Sequence, residues 1–378
     1  MTGDLDWDAA RDAALHAFAP LPVATLRLAV ARHAAPAADV RAPGPLPHYD
    51  SSAMDGWVVR GGGPWRLVPT GAVLRDGGAA VVVTGGAVPP EATAVVPVER
   101  GSVQDGTLTA DAPRPGAHIR REGEEADAGS VLVTAGTRLS PAHLAMLAVA
   151  GLDEVRARRA PAVTAVLTGD EVVLSGMPGP GRVRDAFGTM IPAAVTGLGA
   201  AAATTLRCGD DPAAIAAAIR SSTADVVVTV GGTGRSGADR LREALAVCGA
   251  ETVFEGVAMR PGHPALLVRL DDGRPLLALP GNPLAAVVVL LSFLPPLLAG
   301  LTGATAEPLP TAPAGEELPG WPGGTSVLPA RRASAGLTRA AAVRPNMLRG
   351  LAAADVLAVV PPGGAPAGAP IRCIPLPW

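Results

Sequence analysis

Residues Pro275 to Leu294 read PLLALPGNPLAAVVVLLSFL, and this stretch decides the fold. A short apolar run is followed by a loop of proline, glycine and asparagine, then by apolar residues without the alternation of a half-exposed strand. That order reads as a buried strand, a tight loop and a long helix with Pro283 at its first position. The apolar run from Leu284 to Leu298 is shorter than a membrane span and contains Pro295-Pro296, so it is expected to be a buried helix that ends at the prolines.

The same grammar recurs upstream. PAVTAVLTGDE from Pro161 reads as a strand and its exit loop, DPAAIAAAIR from Asp211 as a helix, ADVVVTVGGTG from Ala224 as a strand and loop, and LREALAVCG from Leu241 as a helix. Continuously apolar strands alternating with helices indicate a parallel sheet covered on both faces, an α/β domain expected over residues 159–305. Before it, short Val-rich runs such as AAVVVT and TAVVPVE, punctuated by Gly, Pro and Asp, suggest a small β domain over 46–137. Residues 1–45 carry Ala-rich stretches, DAARDAALHAF and TLRLAVARHAA, read as helices. Together with SPAHLAMLAVAG, whose Ser140 is an expected N-cap, they form an expected helical domain of 1–45 with 138–158. After a Pro/Gly-rich linker, residues 306–378 read as a second β domain. The fold class is multidomain α/β plus β.

A formal charge of −3 over 378 residues, with no block of like charge, argues against nucleic acid or an anionic membrane as partner, so any anion site must be local. The chain has no Lys, and Arg supplies every basic side chain apart from six His. Cys208, Cys248 and Cys373 follow no metal or disulfide spacing, and the acidic N-terminus has no apolar signal core; a reduced, cytoplasmic setting is expected.

Ligands of parallel α/β sheets bind outside the carboxyl ends of the strands. Three polar loops fall there: Thr168-Gly169-Asp170-Glu171, Gly231 to Gly237, and Leu279-Pro280-Gly281-Asn282-Pro283. Glycines allow close backbone approach and helix N-termini favour negative charge, so the loops suit phosphate or pyrophosphate. Neither G-x-x-x-x-G-K-[ST] nor an opening G-x-G-x-x-G is present, which argues against ordinary ATPases and dinucleotide enzymes. Met259-Arg260-Pro261-Gly262-His263-Pro264 adds a fixed cation and a pH-dependent donor, with a surface hairpin as the plain alternative. Any one of these loops is equally well a simple turn.

SAMDGWVV, Ser52 to Val59, closely resembles the SAMDG signature of the molybdopterin molybdenumtransferases, the MoeA type that also forms the E domain of gephyrin. Further stretches follow in that family's order: Thr84-Gly85-Gly86-Ala87, RREGEEADAG from Arg120, LTGDE from Leu167, GRVRDAFG from Gly181, VTVGGTGRSGAD ending at Asp239, VAMRPGHP from Val257 and LPGNPLAA from Leu279. The resemblance implies a molybdopterin-binding α/β domain, an inserted β domain, a helical N-terminal segment and a C-terminal β barrel. It implies a homodimer with its site between the α/β domain of one subunit and the β domain of the other.

The implied reaction inserts molybdate into adenylylated molybdopterin, giving AMP and molybdenum cofactor with Mg²⁺; a molybdopterin adenylyltransferase is a candidate protein partner. Asp55, Glu171 and Asp239 match the family's functional acids, and Asp55, Glu125 and Glu171 the expected metal ligands. Substrate contacts are expected at Ser52, Thr84, Thr168, Gly169, Asp170, Asp185, Gly231, Gly232, Thr233, Gly234, Ser236, Arg260, Pro261, Gly262, His263, Pro280, Gly281, Asn282 and Pro283. Glu125 stands where the family usually has Asp, Phe187 replaces the Asn of its D-x-N motif, and Arg260 and His263 stand at positions usually held by lysine. These departures motivate an alternative reading, a non-catalytic binder or carrier of molybdopterin or finished cofactor.

Overall fold

In a computed structural model of the chain, residues 4–231 and 240–378 are described. By its contacts the chain divides into two compact units, one of residues 1–38, 135–141 and 155–378, the other of 39–134 and 142–154.

The larger unit is organised by a six-stranded sheet. In chain order its strands are β1 (Ala162–Leu167), β2 (Ala202–Arg207), β3 (Val226–Val230), β4 (Glu251–Glu255), β5 (Leu266–Arg269) and β6 (Pro275–Leu279). The spatial order is β2-β1-β3-β6-β5-β4. The first four are parallel, with Val228 beside Ala165 and Leu277; β5 and β4 follow as antiparallel neighbours. Every residue of β3 and β6 is buried, which explains their uninterrupted apolar sequences.

Helices cover both faces. They are α1 (Trp7–His16), α3 (Phe187–Gly197), α4 (Pro212–Ser221), α5 (Arg240–Val247) and α6 (Pro283–Thr302); α2 (Pro141–Val149) clusters with the other unit. Ile215 and Ile219 of α4 pack with Leu241 and Leu245 of α5 on one face, beside Val166 and Val227. Trp7, Ile191 and the apolar length of α6 pack on the other face, with Val163 and Val228. The chain therefore leaves β1, β3 and β6 at one edge, through loops beginning at Thr168, Gly231 and Pro280.

Helix α6 does not stop at Pro295-Pro296 as the sequence suggests; it continues to Thr302 and ends on Gly303 in the left-handed conformation. Pro296 has no N–H to give to the Ser292 carbonyl, four residues back. Arg11 of α1 donates to that carbonyl instead, at 2.6 Å, and Trp7 donates to the Ser292 hydroxyl at 3.0 Å. Burial lowers the Arg11 pKa to about 10, so it remains charged at neutral pH. Arg11→Leu is expected to lower stability by about 1–3 kcal/mol, the cost of leaving that carbonyl unpaired. An unchanged denaturant midpoint would show that α6 does not depend on this donor. By length and composition α6 could cross a bilayer, yet most of it is buried here.

The stretch TLRLAVARHAA is not a helix. It forms a strand, Ala24–Arg27, a single 3-10 turn, Leu28–Val30, and a short strand, Ala35–Pro36, both strands flanking Glu154–Arg158. Alanine's helix preference is small per residue and yields to this pairing, while His33 adopts positive φ and Pro36 has no N–H to give to a helix. Helix α2 clusters with the second unit rather than with the N-terminal segment. In that unit His48 Nε2 lies 3.0 Å from the carbonyl of Val149, at the end of α2.

The C-terminal residues form a sheet from Thr311–Pro313, Thr325–Ala333, Gly336–Arg339, Val356–Val360 and Pro370–Pro375, which closes on itself through a bridge between Ala314 and Leu337. Met259–Arg260 joins this sheet beside Thr325–Ala333, so the MRPGHP segment is no isolated hairpin. The second unit is built on a six-stranded sheet in which Gly56–Val59, next to the edge, pairs with Gly78–Val82 on one side and with the edge strand Ala94–Pro97 on the other.

Candidate functional site

At the carboxyl ends of the parallel strands lies a cavity of about 690 Å³. Of the residues the sequence nominates, Thr168, Gly169, Asp170, Glu171, Asp185, Gly231, Gly281, Asn282 and Pro283 line it. The loops are brought together by backbone contact. The Gly231 N–H donates to the Leu279 carbonyl at 3.1 Å, and the Thr168 hydroxyl donates to the Val230 carbonyl at 3.0 Å. Gly231 has φ +101°, and a Cβ there would stand 2.7 Å from the Thr168 hydroxyl, so only glycine suits the position.

A second cavity, of about 520 Å³, is lined by Arg260, Pro261, Gly262, His263, Pro280 and Ser326, and shares Asn282 with the first. Arg260 lies over Trp321, its guanidinium carbon 4.2 Å from the ring centroid. His263 Nε2 is 2.8 Å from Asp4 Oδ2. Both basic groups of the MRPGHP segment are thus held by distant parts of the chain.

Two expectations need correction. The first concerns the N-terminus of α6, expected to present open N–H groups to an anion. The Leu284 and Ala285 N–H groups both donate to the Pro345 carbonyl, at 2.9 and 3.3 Å, and Ala286 N–H donates to the Asn282 carbonyl. Those donors are already used.

The second concerns Asp185. Its side chain accepts from the N–H groups of Phe187 and Gly188 at 3.0 and 3.1 Å and from Arg207, so it is engaged with the first turn of α3, just ahead of the N-cap position Ala186, while it lines the cavity. Burial alone would raise its pKa, but the Gly188 N–H, Arg207 and the Phe187 N–H outweigh that and hold it below the ordinary value near 3.8. A depressed carboxylate pKa contributes stability that is complete above the unfolded-state value and lost as pH falls through the folded one. The stability gap between wild type and Asp185→Asn is therefore expected to be full above about pH 5 and to shrink below the ordinary carboxylate pKa. A gap independent of pH would remove this assignment.

Around the first cavity Asp170 and Glu171 are exposed, with the Asp170 N–H donating to Asp210 at 3.1 Å. Arg184, Arg207, Asp210, Arg240 and Asn346 also line it; Arg184 falls within the GRVRDAFG stretch, and the other four lie outside the quoted motifs. Arg207 could have been found, because it ends β2 at the same edge of the sheet. Nothing local marks Asn346.

The remaining nominated residues lie elsewhere. Asp55 stands in the smaller unit, exposed, its Oδ1 accepting from the Thr84 N–H at 2.6 Å and the Thr84 hydroxyl at 2.8 Å. Those bonds, the N–H first, hold the Asp55 pKa below its ordinary value. Thr84 therefore orients Asp55. Ser52 is buried, and its hydroxyl donates to the Met54 carbonyl at 2.5 Å, so it braces the loop and is closed to substrate. Glu125 is exposed in the same unit. Gly232, Thr233, Gly234, Ser236 and Asp239 lie outside the described residues. Among the described residues no three His, Cys, Asp or Glu side chains converge, so these residues of one chain alone offer no complete cation site.

Fold and cavities define a multidomain α/β-plus-β protein with a ligand cleft at the ends of its parallel strands. A model of the MoeA N-terminal region, domains I and II, matches residues 5–151, and one of a probable molybdopterin binding domain matches 164–300. Molybdopterin molybdenumtransferase 2 of Mycobacterium tuberculosis H37Rv is 34% identical over 288 residues, 69% of this chain and 70% of that relative. The molybdopterin molybdenumtransferase of Synechococcus elongatus is 32% identical over 298 residues, 72% of this chain and 74% of its own. The MoeA protein of Pyrococcus horikoshii OT3 has the same fold, with a TM-score of 0.74 at 20% identity over 98% of this chain and 99% of that one. The chain belongs to the molybdopterin molybdenumtransferases, a family of transferases in molybdenum cofactor biosynthesis.

Proposed function

We propose that this protein inserts molybdate into adenylylated molybdopterin, releasing AMP and molybdenum cofactor, as a cytoplasmic homodimer that uses Mg²⁺. The observation that carries the reading is the pair of adjoining cavities. One, at the strand ends, is large enough for a pterin phosphate; the other carries Arg260 and His263 for a small oxyanion, and Asn282 stands in both. The loops at Thr168, Gly231 and Gly281 form the wall against which the pterin phosphate lies, with the Gly231 N–H itself held by the Leu279 carbonyl. Gly232, Thr233, Gly234 and Ser236 keep the phosphate-loop role that family membership gives them, and Asp239 its catalytic one.

Carboxylates from two copies are needed for the cation: Glu171 from one, Asp55 and Glu125 from the other. Bound there, Mg²⁺ would neutralise charge on the phosphoanhydride. Asp55 is already fixed in orientation and ionised by Thr84.

The test supplies purified protein with adenylylated molybdopterin, molybdate and Mg²⁺ and follows AMP by chromatography. Release of AMP with formation of active cofactor is expected, as is rescue of a strain lacking its own molybdenumtransferase. Tight pterin binding with no AMP release would identify a carrier instead.

A further inference from the structure

The cap of α6 has been handed from a side chain to a backbone group far away in sequence. Asn282 occupies the N-cap position, where asparagine ordinarily accepts from the first N–H groups of its helix. Here it makes no such bond, because the Pro345 carbonyl accepts from Leu284 and Ala285. The Asn282 amide is thereby released, and it lines both cavities. The residue following the substitute cap, Asn346, enters the first cavity, while Pro345 and Val343 line the second. One short segment of the C-terminal region thus does three things: it caps the helix, frees Asn282 and adds a second amide at the junction of the cavities.

We propose that Asn346 is a substrate-positioning residue, its amide acting with that of Asn282 to hold a phosphate oxygen of the ligand where the two cavities meet. The inference rests on the reading of the first cavity as a phosphate-ester site. Neither amide side chain has a hydrogen-bond partner among the described residues, so both retain their donors for a ligand. A neutral donor suits this place. The surrounding Asp170, Glu171 and Asp210 already set an acidic balance against Arg184 and Arg240, while Arg207 is committed to Asp185. An amide can therefore bind a phosphate oxygen without becoming tied to a neighbouring carboxylate.

The experiment compares wild type, Asn346→Ala and Asn346→Asp, using AMP as a phosphate-ester probe in calorimetric titrations and adenylylated molybdopterin in steady-state assays. Loss of the amide is expected to weaken AMP binding about tenfold and to raise KM for the full substrate by a similar factor, with kcat little changed. The isosteric change Asn346→Asp is expected to weaken both further, because it sets a negative charge against the phosphate. Unfolding midpoints of both variants should match wild type, since the backbone carbonyl of Pro345, not the Asn346 side chain, caps α6. Wild-type binding with unchanged constants in both variants would overturn the role of Asn346 and leave the phosphate-site reading standing. Absence of any wild-type binding to AMP or to the full substrate would overturn both.

Discussion

Asp55→Asn is expected to reduce AMP release by on the order of a hundredfold or more while leaving the unfolding midpoint in place. Both bonds from Thr84 fall on Oδ1, at 2.6 and 2.8 Å, and an asparagine oxygen accepts them equally well, so the loop keeps its shape. What is lost is the charge shared with the other carboxylate oxygen. The Thr84 bonds hold the Asp55 pKa below 3.8, so this carboxylate is ionised throughout the neutral range. An acid limb in the rate between about pH 5 and 7 would therefore belong to another group. If Asp55→Asn turned over at the wild-type rate, its charge would have no part in the reaction.

The same variant tests the sharing of the site. On the proposed homodimer with a shared site, Asp55→Asn and Glu171→Gln proteins, each inactive alone, are expected to regain about a quarter of wild-type activity when mixed and allowed to exchange subunits, since half the dimers would be mixed and each would carry one intact site. No recovery, despite demonstrated exchange, would place both acids in one copy's site.

The α/β layer was readable from sequence because β3 and β6 are buried on both faces, and no other environment accepts VVVTV or PLLAL so readily. Edge-specific choices were harder to read. The α6 prolines signal an end, and the compensating donor, Arg11, comes from 281 residues away. TLRLAVARHAA carries a composition that favours helix, yet strand pairing decides its structure. The polar loops at the strand ends were visible through their glycines, whereas the substitute cap at Pro345 and the place of Asn346 depend on a tertiary contact with no sequence pattern. Asp185 shows the opposite case: an acid just before a helix is a capping signal, and its match to the family's D-x-N motif, with the substrate contact that implied, drew attention away from it. The family was legible from ordered motifs, above all SAMDG, whose final glycine has a structural reason of its own.

Gly56→Ala is expected to be the most destabilising single substitution near the site, costing on the order of 3 kcal/mol or more. Gly56 has φ +153°, outside the range most side chains adopt, and a Cβ there would stand 2.0 Å from the Val96 carbonyl oxygen. That oxygen belongs to the neighbouring strand, with Gly56 paired to Pro97 on one side and to Val82 on the other. Relief requires this inner strand or its edge neighbour to move. The displacement is transmitted directly, because the Asp55 carbonyl accepts from the Val98 N–H at 2.9 Å and the Asp55 carboxylate is anchored to Thr84, two residues beyond Val82. Stability and AMP release should therefore fall together. Gly62→Ala, where an added Cβ meets nothing within 4 Å, is expected to change stability by less than about 0.5 kcal/mol. Similar unfolding midpoints for the two variants would mean that the strand at Gly56 yields without cost. The glycine after Asp55 would then owe its place to something other than this close approach.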